Sequence, residues 1–376
     1  MAVLDFTSAL YLGLRHPSAA LRPWMRLTGG RPAALAVPAR QHRVADGLAR
    51  LTGCERALLA PSTLHLFWDL FGMLGGADTV ILMDAGLYPI ARWGVERAAC
   101  RGTTVRRFAH FRPASLRRQL RRDGMRRPVV VVDGFCPGCG KPAPLRELLD
   151  LIRPRGGLLV IDDTQALGIF GHAPSAAAPF GRGGGGSLRL QVLTGPDVLL
   201  VSSLAKGFGV PAAMLGGGVA QVREFERRSE TRIHCSPPSL AALHAAAHAL
   251  AVNRDCGDAL RLRLALRVRR LRAGLEKLGR PSRQGVFPVQ TLAHAADAEA
   301  VALHARLLRR GVRTVLHRAR DGRGARLSFL ITARHGPQDI DAALDALAAA
   351  DGPRIQREDL EVTHGTAADG GLRGLR

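Results

Sequence analysis

Short apolar runs that alternate with helical segments constrain the fold of this chain more than any other feature. Five runs of four to six residues have the length and composition of buried strands. They are residues 57–60, 80–84, 128–133, 158–162 and 198–201. Helical spacing of apolar residues marks 41–51, 64–74 and 144–151. Strands that alternate with helices build a mainly parallel sheet with helices on both faces. The sequence therefore predicts an α/β fold.

Two of these strands end close to residues that carry chemistry. Asp162 closes the run 158–162, and Lys206 follows the run 198–201 among small residues and glycines. Pyridoxal phosphate requires such a pair, because a lysine forms its Schiff base and a carboxylate keeps its pyridinium nitrogen protonated. We therefore expect a site for pyridoxal 5'-phosphate with Lys206 and Asp162 as catalytic residues.

A third strand end offers a place for the cofactor's phosphate. Residues 57–60 lead through Pro61 into Ser62 and Thr63, and a helix is predicted to begin at Leu64. A strand, a small polar turn and a helix together present backbone N–H groups that an anion can bind. An ordinary helix cap at Ser62 or Thr63 explains the same pattern, so the turn alone leaves both interpretations open.

The second half of the chain predicts a smaller α+β unit. Helices are expected at 239–251, 260–278 and 338–349, and strands at 286–292, 312–316 and 326–331. This organisation predicts four parts: an N-terminal segment at 1–40, a large cofactor-binding domain at 41–250, a small domain at 251–350 and a mobile tail at 351–376.

Composition limits the function classes. The 376 residues hold 54 Lys+Arg against 31 Asp+Glu, a net charge of +23 that comes almost entirely from arginine. The excess fits either an anionic partner, such as a phosphorylated ligand, an acyl carrier protein or a nucleic acid, or a compositional bias on solvated faces. We favour the bias, and we expect no nucleic-acid partner.

We see no apolar run that spans a membrane and no signal peptide. The 6 cysteines do not suggest a disulfide framework, so we expect a reducing cytoplasm.

Two further motifs have structural explanations. The C-x-x-C of Cys136 and Cys139 has no second pair and no His at ligand spacing, which argues against zinc and favours a turn of small residues. A redox role stays open. The glycine run 183–186 lacks the Lys-Ser/Thr that completes a phosphate-binding loop, so it predicts a flexible loop.

Several longer motifs resemble the α-oxoamine synthases over about residues 3–350. The matching segments are Asp133-Gly134, Asp162-Asp163-Thr164-Gln165-Ala166-Leu167-Gly168, Lys206-Gly207-Phe208-Gly209 and Ala333-Arg334-His335. The family includes 8-amino-7-oxononanoate synthase, glycine C-acetyltransferase and serine palmitoyltransferase. The resemblance implies a fold-type I pyridoxal-phosphate fold, a biosynthetic acyltransferase activity and a homodimer.

The resemblance also assigns residues to roles. It makes Lys206 the Schiff-base lysine and Asp162 the partner of the pyridinium nitrogen. Ser236 lies near a family position that reaches the phosphate from the partner subunit, which implies an active site shared across a homodimer. Four residues fall where the family holds the phosphate: Ser62, Thr63, Leu64 and Ser203.

This sequence departs from the family pattern around Pro137, where a Ser is replaced, between Leu27 and His42, where a glycine-serine segment is absent, and at three candidate site residues. Tyr88 stands where a His stacks on the cofactor ring, and its flat face can still stack. Gln165 stands where a His meets the cofactor's phenolate oxygen, and its amide can still donate a hydrogen bond. Ser328 replaces the second Arg of a carboxylate clamp, so Arg326 and Arg318 are the candidate substitutes.

Three hypotheses for the function follow. The first is condensation of an amino acid with an acyl thioester, carried by coenzyme A or an acyl carrier protein. The second is an aminotransferase-like reaction on a substrate that lacks the usual α-carboxylate. The third is a catalytically weak binding protein that kept the fold, since a fold does not fix a function. The presence or absence of an α-carboxylate on the substrate distinguishes the first hypothesis from the second.

Overall fold

The computed structural model describes residues 3–17, 26–122, 124, 126–282, 284–292, 297–318 and 324–351. The predicted mobile tail lies outside the described residues, except for Asp351 at the end of the last helix. The predicted domain boundaries at residues 41, 251 and 351 remain predictions.

Strands and helices alternate through most of the described chain. The strands are β1 (Leu4–Asp5), β2 (Arg56–Ala60), β3 (Thr79–Asp84), β4 (Thr104–Phe108), β5 (Arg127–Asp133), β6 (Phe135–Cys136), β7 (Lys141–Pro142), β8 (Leu158–Asp162), β9 (Val198–Ser203), β10 (Ala213–Gly217), β11 (Val289–Thr291), β12 (Val312–Arg313), β13 (Val315–Arg318) and β14 (Ala325–Leu330). The helices are α1 (Ala39–Thr52), α2 (Thr63–Leu74), α3 (Pro89–Cys100), α4 (Pro113–Leu120), α5 (Leu145–Ile152), α6 (Ser187–Gln191), α7 (Val219–Arg228), α8 (Glu230–His234), α9 (Leu240–Lys277), α10 (Asp297–Arg309) and α11 (Pro337–Asp351).

A seven-stranded sheet forms the centre of the described structure, in the order β2-β10-β9-β8-β5-β3-β4. All neighbouring strands are parallel except β10, which is antiparallel to both β2 and β9. The predicted mainly parallel α/β sheet is thus confirmed. We did not predict β4 or β10. Strand β4 lies at the sheet edge and carries Arg106 and Arg107 instead of an apolar run, while β10 ends in two glycines.

Both faces of the sheet are covered, as predicted. Val130 and Val132 of β5 belong to one apolar core, and Val129 and Val131 belong to the other, because side chains alternate along a strand. Helices α1, α5 and α9 contribute to the first core, and α2, α3 and α7 contribute to the second.

The two helices predicted at 239–251 and 260–278 form a single helix, α9, of 38 residues. Residues 252–259, which lack the apolar spacing of a helix, are held in the helix by tertiary contacts. Arg261, which is 2% exposed, donates to the Asn253 side chain at 2.8 Å and to the Gly168 carbonyl at 2.9 Å. Asn253 in turn donates to the Gly183 carbonyl at 3.0 Å. Within the described residues no helix is long and apolar enough to cross a membrane.

The glycine run 183–186, predicted to be a flexible loop, is mostly buried and closely packed. A Cβ on Gly186 would lie 1.9 Å from Asp163 Oδ2, and a Cβ on Gly184 would lie 2.3 Å from Arg261 Nη1. Glycine is required there because α9 and the end of β8 approach the backbone closely.

A small antiparallel sheet, β11-β14-β13, forms beside the main sheet and packs on α10. The strand predicted at 312–316 is divided between β12 and β13 at Thr314, whose hydroxyl is 3.0 Å from His304 Nδ1. Strand β12 pairs in parallel with the N-terminal strand β1. The residue after β1 also contacts the small sheet, because the Leu330 amide donates to the Phe6 carbonyl at 2.9 Å.

Candidate active site

A cavity of about 610 Å³ opens at the carboxyl ends of the parallel strands. Ligands in open α/β sheets bind at this edge. Six of the residues predicted from the sequence line it: Thr63, Tyr88, Asp162, Gln165, Ser203 and Lys206. The cavity wall is completed by the start of α3, the turn after β6, and β11 and β13 of the small sheet.

Asp162 and Lys206 meet at this edge because their strands are neighbours in register, with Asp162 paired to Val201. The Thr164 amide donates to Asp162 Oδ1 at 3.0 Å. Burial raises the pKa of the Asp162 carboxyl, and the hydrogen bonds from Thr164 and the charge of Lys206 oppose that effect. A buried carboxylate in this position is stabilised by a cationic partner.

The adjacent carboxylate points away from the cavity, since successive strand-end residues face opposite sides. Asp163 is completely buried and accepts from the Ser187 amide at 3.1 Å. Burial raises the pKa of Asp163 to about 7. The Asp162-Asp163 pair thus divides into one cavity residue and one structural residue.

Tyr88 is the N-cap residue of α3, without a side-chain cap hydrogen bond, and it lines the cavity. The Lys206 Nζ lies 5.8 Å from the centre of that ring, within the range of a cation–π contact. The Tyr88 amide donates to Asp133 Oδ1 at 3.2 Å, which fixes the turn that presents the ring. The ring therefore faces the lysine across the cavity.

Gln165 is oriented by a residue that we did not predict. The Tyr11 hydroxyl donates to Gln165 Oε1 at 2.9 Å, so the amide nitrogen of Gln165 remains as the donor. Tyr11 is 1% exposed, and burial raises the pKa of its hydroxyl. It comes from the N-terminal segment, 154 positions before Gln165, and no local pattern marks that contact.

Ser62, Thr63 and Leu64 form the entry to α2, as predicted. Ser62 is the N-cap residue but makes no side-chain cap; its hydroxyl lies 2.9 Å from His65 Nδ1 instead. Thr63 lines the cavity, whereas Leu64 is 41% exposed and does not. Across from them, the Ser203 amide donates to Thr164 Oγ1 at 3.0 Å.

Ser236 lies in a separate, small pocket beside Cys235 and His65. It does not line the main cavity of its own chain. Its predicted contribution to a partner's site remains a prediction.

The residues predicted to bind the substrate lie in or beside the small sheet. Ser328 is 1% exposed, and its hydroxyl lies 2.8 Å from Thr291 Oγ1 and 2.9 Å from His317 Nε2. Thr291 and His317 line the cavity, but Ser328, Arg326 and Arg318 do not. Arg326 pairs with His317 across the strands and donates to the carbonyl of Ala325 at 3.2 Å.

Arg92 is the arginine that lines the cavity, and we did not predict it. It lies one helical turn after Tyr88, and its Nη2 donates to the Leu87 carbonyl at 3.3 Å. Its Nε is buried and has no hydrogen-bond partner among the described residues. In a chain with 54 Lys+Arg, no sequence signal singles it out.

The sequence matches the model of the class I and II aminotransferase family over residues 46–347. An 8-amino-7-oxononanoate synthase from Sodalis glossinidius is 31% identical over 92% of this chain and 88% of the relative. One from Methylococcus capsulatus is 29% identical over 92% and 89%. Among solved structures, serine palmitoyltransferase from S. paucimobilis with bound PLP has a TM-score of 0.81 at 18% identity, covering 93% of this chain and 87% of that one.

The fold and the site define a fold-type I pyridoxal-phosphate-dependent transferase. The chain belongs to the class I and II aminotransferase family and, within it, to the α-oxoamine synthase group. The resemblance stated from the sequence is thereby confirmed.

Proposed function

We propose that this chain condenses an amino acid with an acyl thioester, with pyridoxal phosphate held in the cavity. The observation that carries the proposal is the pairing of Asp162 and Lys206 in one cavity at the carboxyl edge of the sheet. The similarity to 8-amino-7-oxononanoate synthases over nine tenths of the chain supports it.

The residues of the cavity fit that cofactor. The Asp162 carboxyl, whose pKa is raised by burial, would pair with the pyridinium nitrogen. The uncapped first turn of α2, with Thr63 and Ser203 nearby, would hold the phosphate. Tyr88 offers a ring for stacking and Gln165 a donor for the phenolate oxygen. When bound, pyridoxal phosphate supplies an electron sink for a bond broken at the substrate's Cα.

The chain's own groups would then carry out positioning and proton transfer. The Lys206 amine holds the cofactor and, once displaced by the substrate, moves a proton at Cα. Its Nζ lies 5.8 Å from the centre of the Tyr88 ring, so the amine and the ring face each other in the cavity. Tyr11 orients the Gln165 amide, whose nitrogen remains as the donor.

The substrate's carboxylate requires a cation in the cavity, and we place it at Arg92. A guanidinium binds a carboxylate through two parallel N–H bonds, and Arg92 is the arginine that lines the cavity among the described residues. Arg326 and Arg318 remain weaker candidates, because neither lines the cavity. Ser328 acts indirectly, since its hydroxyl contacts His317 and Thr291 on the cavity wall.

One observation favours the aminotransferase-like alternative. Ser328 is buried and uncharged where the family carries an arginine, and an amine or ketone without an α-carboxylate would need no clamp. The two functions differ in their products, because condensation releases a free thiol and transamination does not.

We extend the proposal to assembly and location. A homodimer, with Ser236 contributing to the partner's phosphate site, is the arrangement that the family resemblance implies. The acyl donor is a coenzyme A or acyl-carrier-protein thioester, either of which carries phosphate that suits the +23 charge of the chain. A reducing cytoplasm fits the cysteines, since all six are described and none is joined in a disulfide.

The test is a matrix of amino acids against acyl thioesters, followed by thiol release and by changes in the cofactor's absorption. Thiol release that depends on both an amino acid and a thioester supports the condensation. Amino-group transfer to a keto acid without thiol release, or a protein that cannot bind the cofactor at all, would contradict it.

A further inference from the structure

The fold brings His110 to the C-x-x-C pair that appeared isolated in the sequence. Its Nε2 lies 3.7 Å from Cys139 Sγ, and the donor atoms of His110, Cys136 and Cys139 all lie within 4.8 Å of one another. His110 follows β4, and the cysteines lie in the β6–β7 hairpin that follows β5. Because β3 separates β4 from β5 in the sheet, their carboxyl ends lie at one edge, and no sequence spacing reveals the approach.

These separations suit a tetrahedral zinc ion. Zinc binds thiolates at about 2.3 Å and imidazole nitrogen at about 2.0–2.1 Å, so tetrahedral angles place neighbouring donor atoms roughly 3.6–3.8 Å apart. The distance from His110 Nε2 to Cys139 Sγ already has that value. The widest separation in the cluster needs a contraction of roughly 1 Å, which side-chain rotation can supply.

The histidine is held in the orientation that a metal ligand needs. Its Nδ1 donates to Asp84 Oδ1 at 2.6 Å, so the lone pair of a neutral ring lies on Nε2, toward the cysteines. Asp84 is itself fixed at the end of β3, where it accepts from the amides of Gly86 at 2.7 Å and Phe111 at 2.9 Å. A carboxylate that orients a ligating histidine is the usual outer support of protein zinc sites.

The cysteine turn is also formed in advance. The Cys139 amide donates to Cys136 Sγ at 3.3 Å, and the Gly140 amide donates to the Cys136 carbonyl at 2.9 Å. Gly140 has φ +68°, a conformation that favours glycine. An N–H group directed at sulfur favours the thiolate, which is the form that binds metal.

We propose that His110, Cys136 and Cys139 bind one Zn²⁺ ion, with water in the fourth position. Each thiol gives up a proton on binding, no electron is transferred, and the two thiolates balance the charge of the ion. Zinc is the metal that this soft sulfur and imidazole set favours. The turn between the cysteines, Pro137 and Gly138, lines the active-site cavity. The ion would therefore fasten one wall of the cavity to the segment after β4.

The proposal does not depend on the proposed reaction, and its test measures metal. Purified wild-type protein is loaded with Zn²⁺, freed of excess ion and assayed for zinc per chain; Co²⁺ is loaded in parallel, because thiolate ligands give it charge-transfer bands. We expect one ion per chain and sulfur-to-cobalt bands in the wild type. Cys139→Ser and His110→Gln should lose both, and Asp84→Asn should weaken affinity by roughly tenfold to a hundredfold.

Cys256→Ser is the matched control, because Cys256 is exposed on α9 and belongs to no such cluster among the described residues. It should keep the full zinc content. Circular dichroism establishes that each variant is folded, and Cys139→Ser is a mild change at a partly exposed residue. A wild type without bound zinc after loading, zinc retained in folded Cys139→Ser, or a Cys136–Cys139 disulfide in the metal-loaded protein would each overturn the proposal.

Discussion

The two walls of the cavity differ in how closely they follow the family pattern. On the main sheet, Asp162 and Lys206 lie at adjoining strand ends, where the family resemblance expects the two residues that bind the cofactor. On the small sheet, Ser328 occupies the position that the family resemblance assigns to the carboxylate clamp, and the side chains that line the cavity are His317 and Thr291. The contrast leads us to expect that the residues for the cofactor follow the family pattern while those for the substrate depart from it.

The largest effect should come from Lys206, at the centre of the main-sheet wall. We expect Lys206→Ala to abolish turnover and to remove the visible absorption band of the bound cofactor, because Lys206 is the lysine that lines the cavity among the described residues. Absorption spectra of the two proteins after loading with pyridoxal phosphate check this. Lys277→Ala, at an exposed position on α9, is the control and should be unchanged. A wild-type protein that stays colourless after loading would refute the assignment of the cofactor site to Lys206 and Asp162.

The next effect concerns the electron sink. Asp162→Asn removes the charge that keeps the ring nitrogen protonated, so we expect turnover to fall by a hundredfold or more while the cofactor stays bound. Steady-state kinetics normalised to bound cofactor measure it. The neighbouring Asp163→Asn should lower the melting temperature without changing normalised turnover, because Asp163 faces Ser187 and not the cavity. Equal kinetic losses in both variants would contradict the division of roles between them.

These two predictions rest on residues that the sequence identifies by local pattern. A lysine and a carboxylate that each follow a short apolar run are recognisable because the run sets both the strand and the edge at which it ends. The same locality explains the confirmed main sheet. It also explains why β4 was not predicted, since its two arginines interrupt the apolar pattern. The continuity of α9 was not predicted because it depends on buried contacts of Asn253 and Arg261 with distant residues.

Two of the residues that escaped prediction make contacts between distant parts of the chain. Tyr11 reaches Gln165 across 154 positions, and His110 reaches Cys139 across 29. His317 and Arg92 belong to common residue types on ordinary elements, so only the packing of β13 and α3 against the cavity distinguishes them. Chain topology, and not composition, sets these contacts.

A third prediction tests which wall binds the substrate's acid group. Arg92→Gln removes a charged hydrogen bond to the substrate that contributes about 2 kcal/mol of binding free energy. It should therefore raise the KM for the amino acid roughly thirty-fold, with a smaller change in kcat. Arg326→Gln is the matched control on the small sheet and should leave KM within about twofold, since Arg326 does not line the cavity. If Arg326→Gln raises KM and Arg92→Gln does not, the cation that binds the substrate carboxylate lies on β14, the strand of Ser328, as in the family pattern.

The smallest effect is expected from Tyr11, which acts on the cofactor only through Gln165. Tyr11→Phe keeps the ring that packs edge-on against Phe287 at 5.7 Å and removes only the hydroxyl. The lost hydrogen bond corresponds to about 1 kcal/mol, so we expect roughly a fivefold drop in kcat/KM and a shifted absorption of the bound cofactor. In a Gln165→Ala background Tyr11→Phe should have no further effect, because the hydroxyl no longer has the Gln165 side chain to orient. An additive loss in the double variant would show that the Tyr11 hydroxyl acts independently of Gln165, and the positioning role would then be wrong.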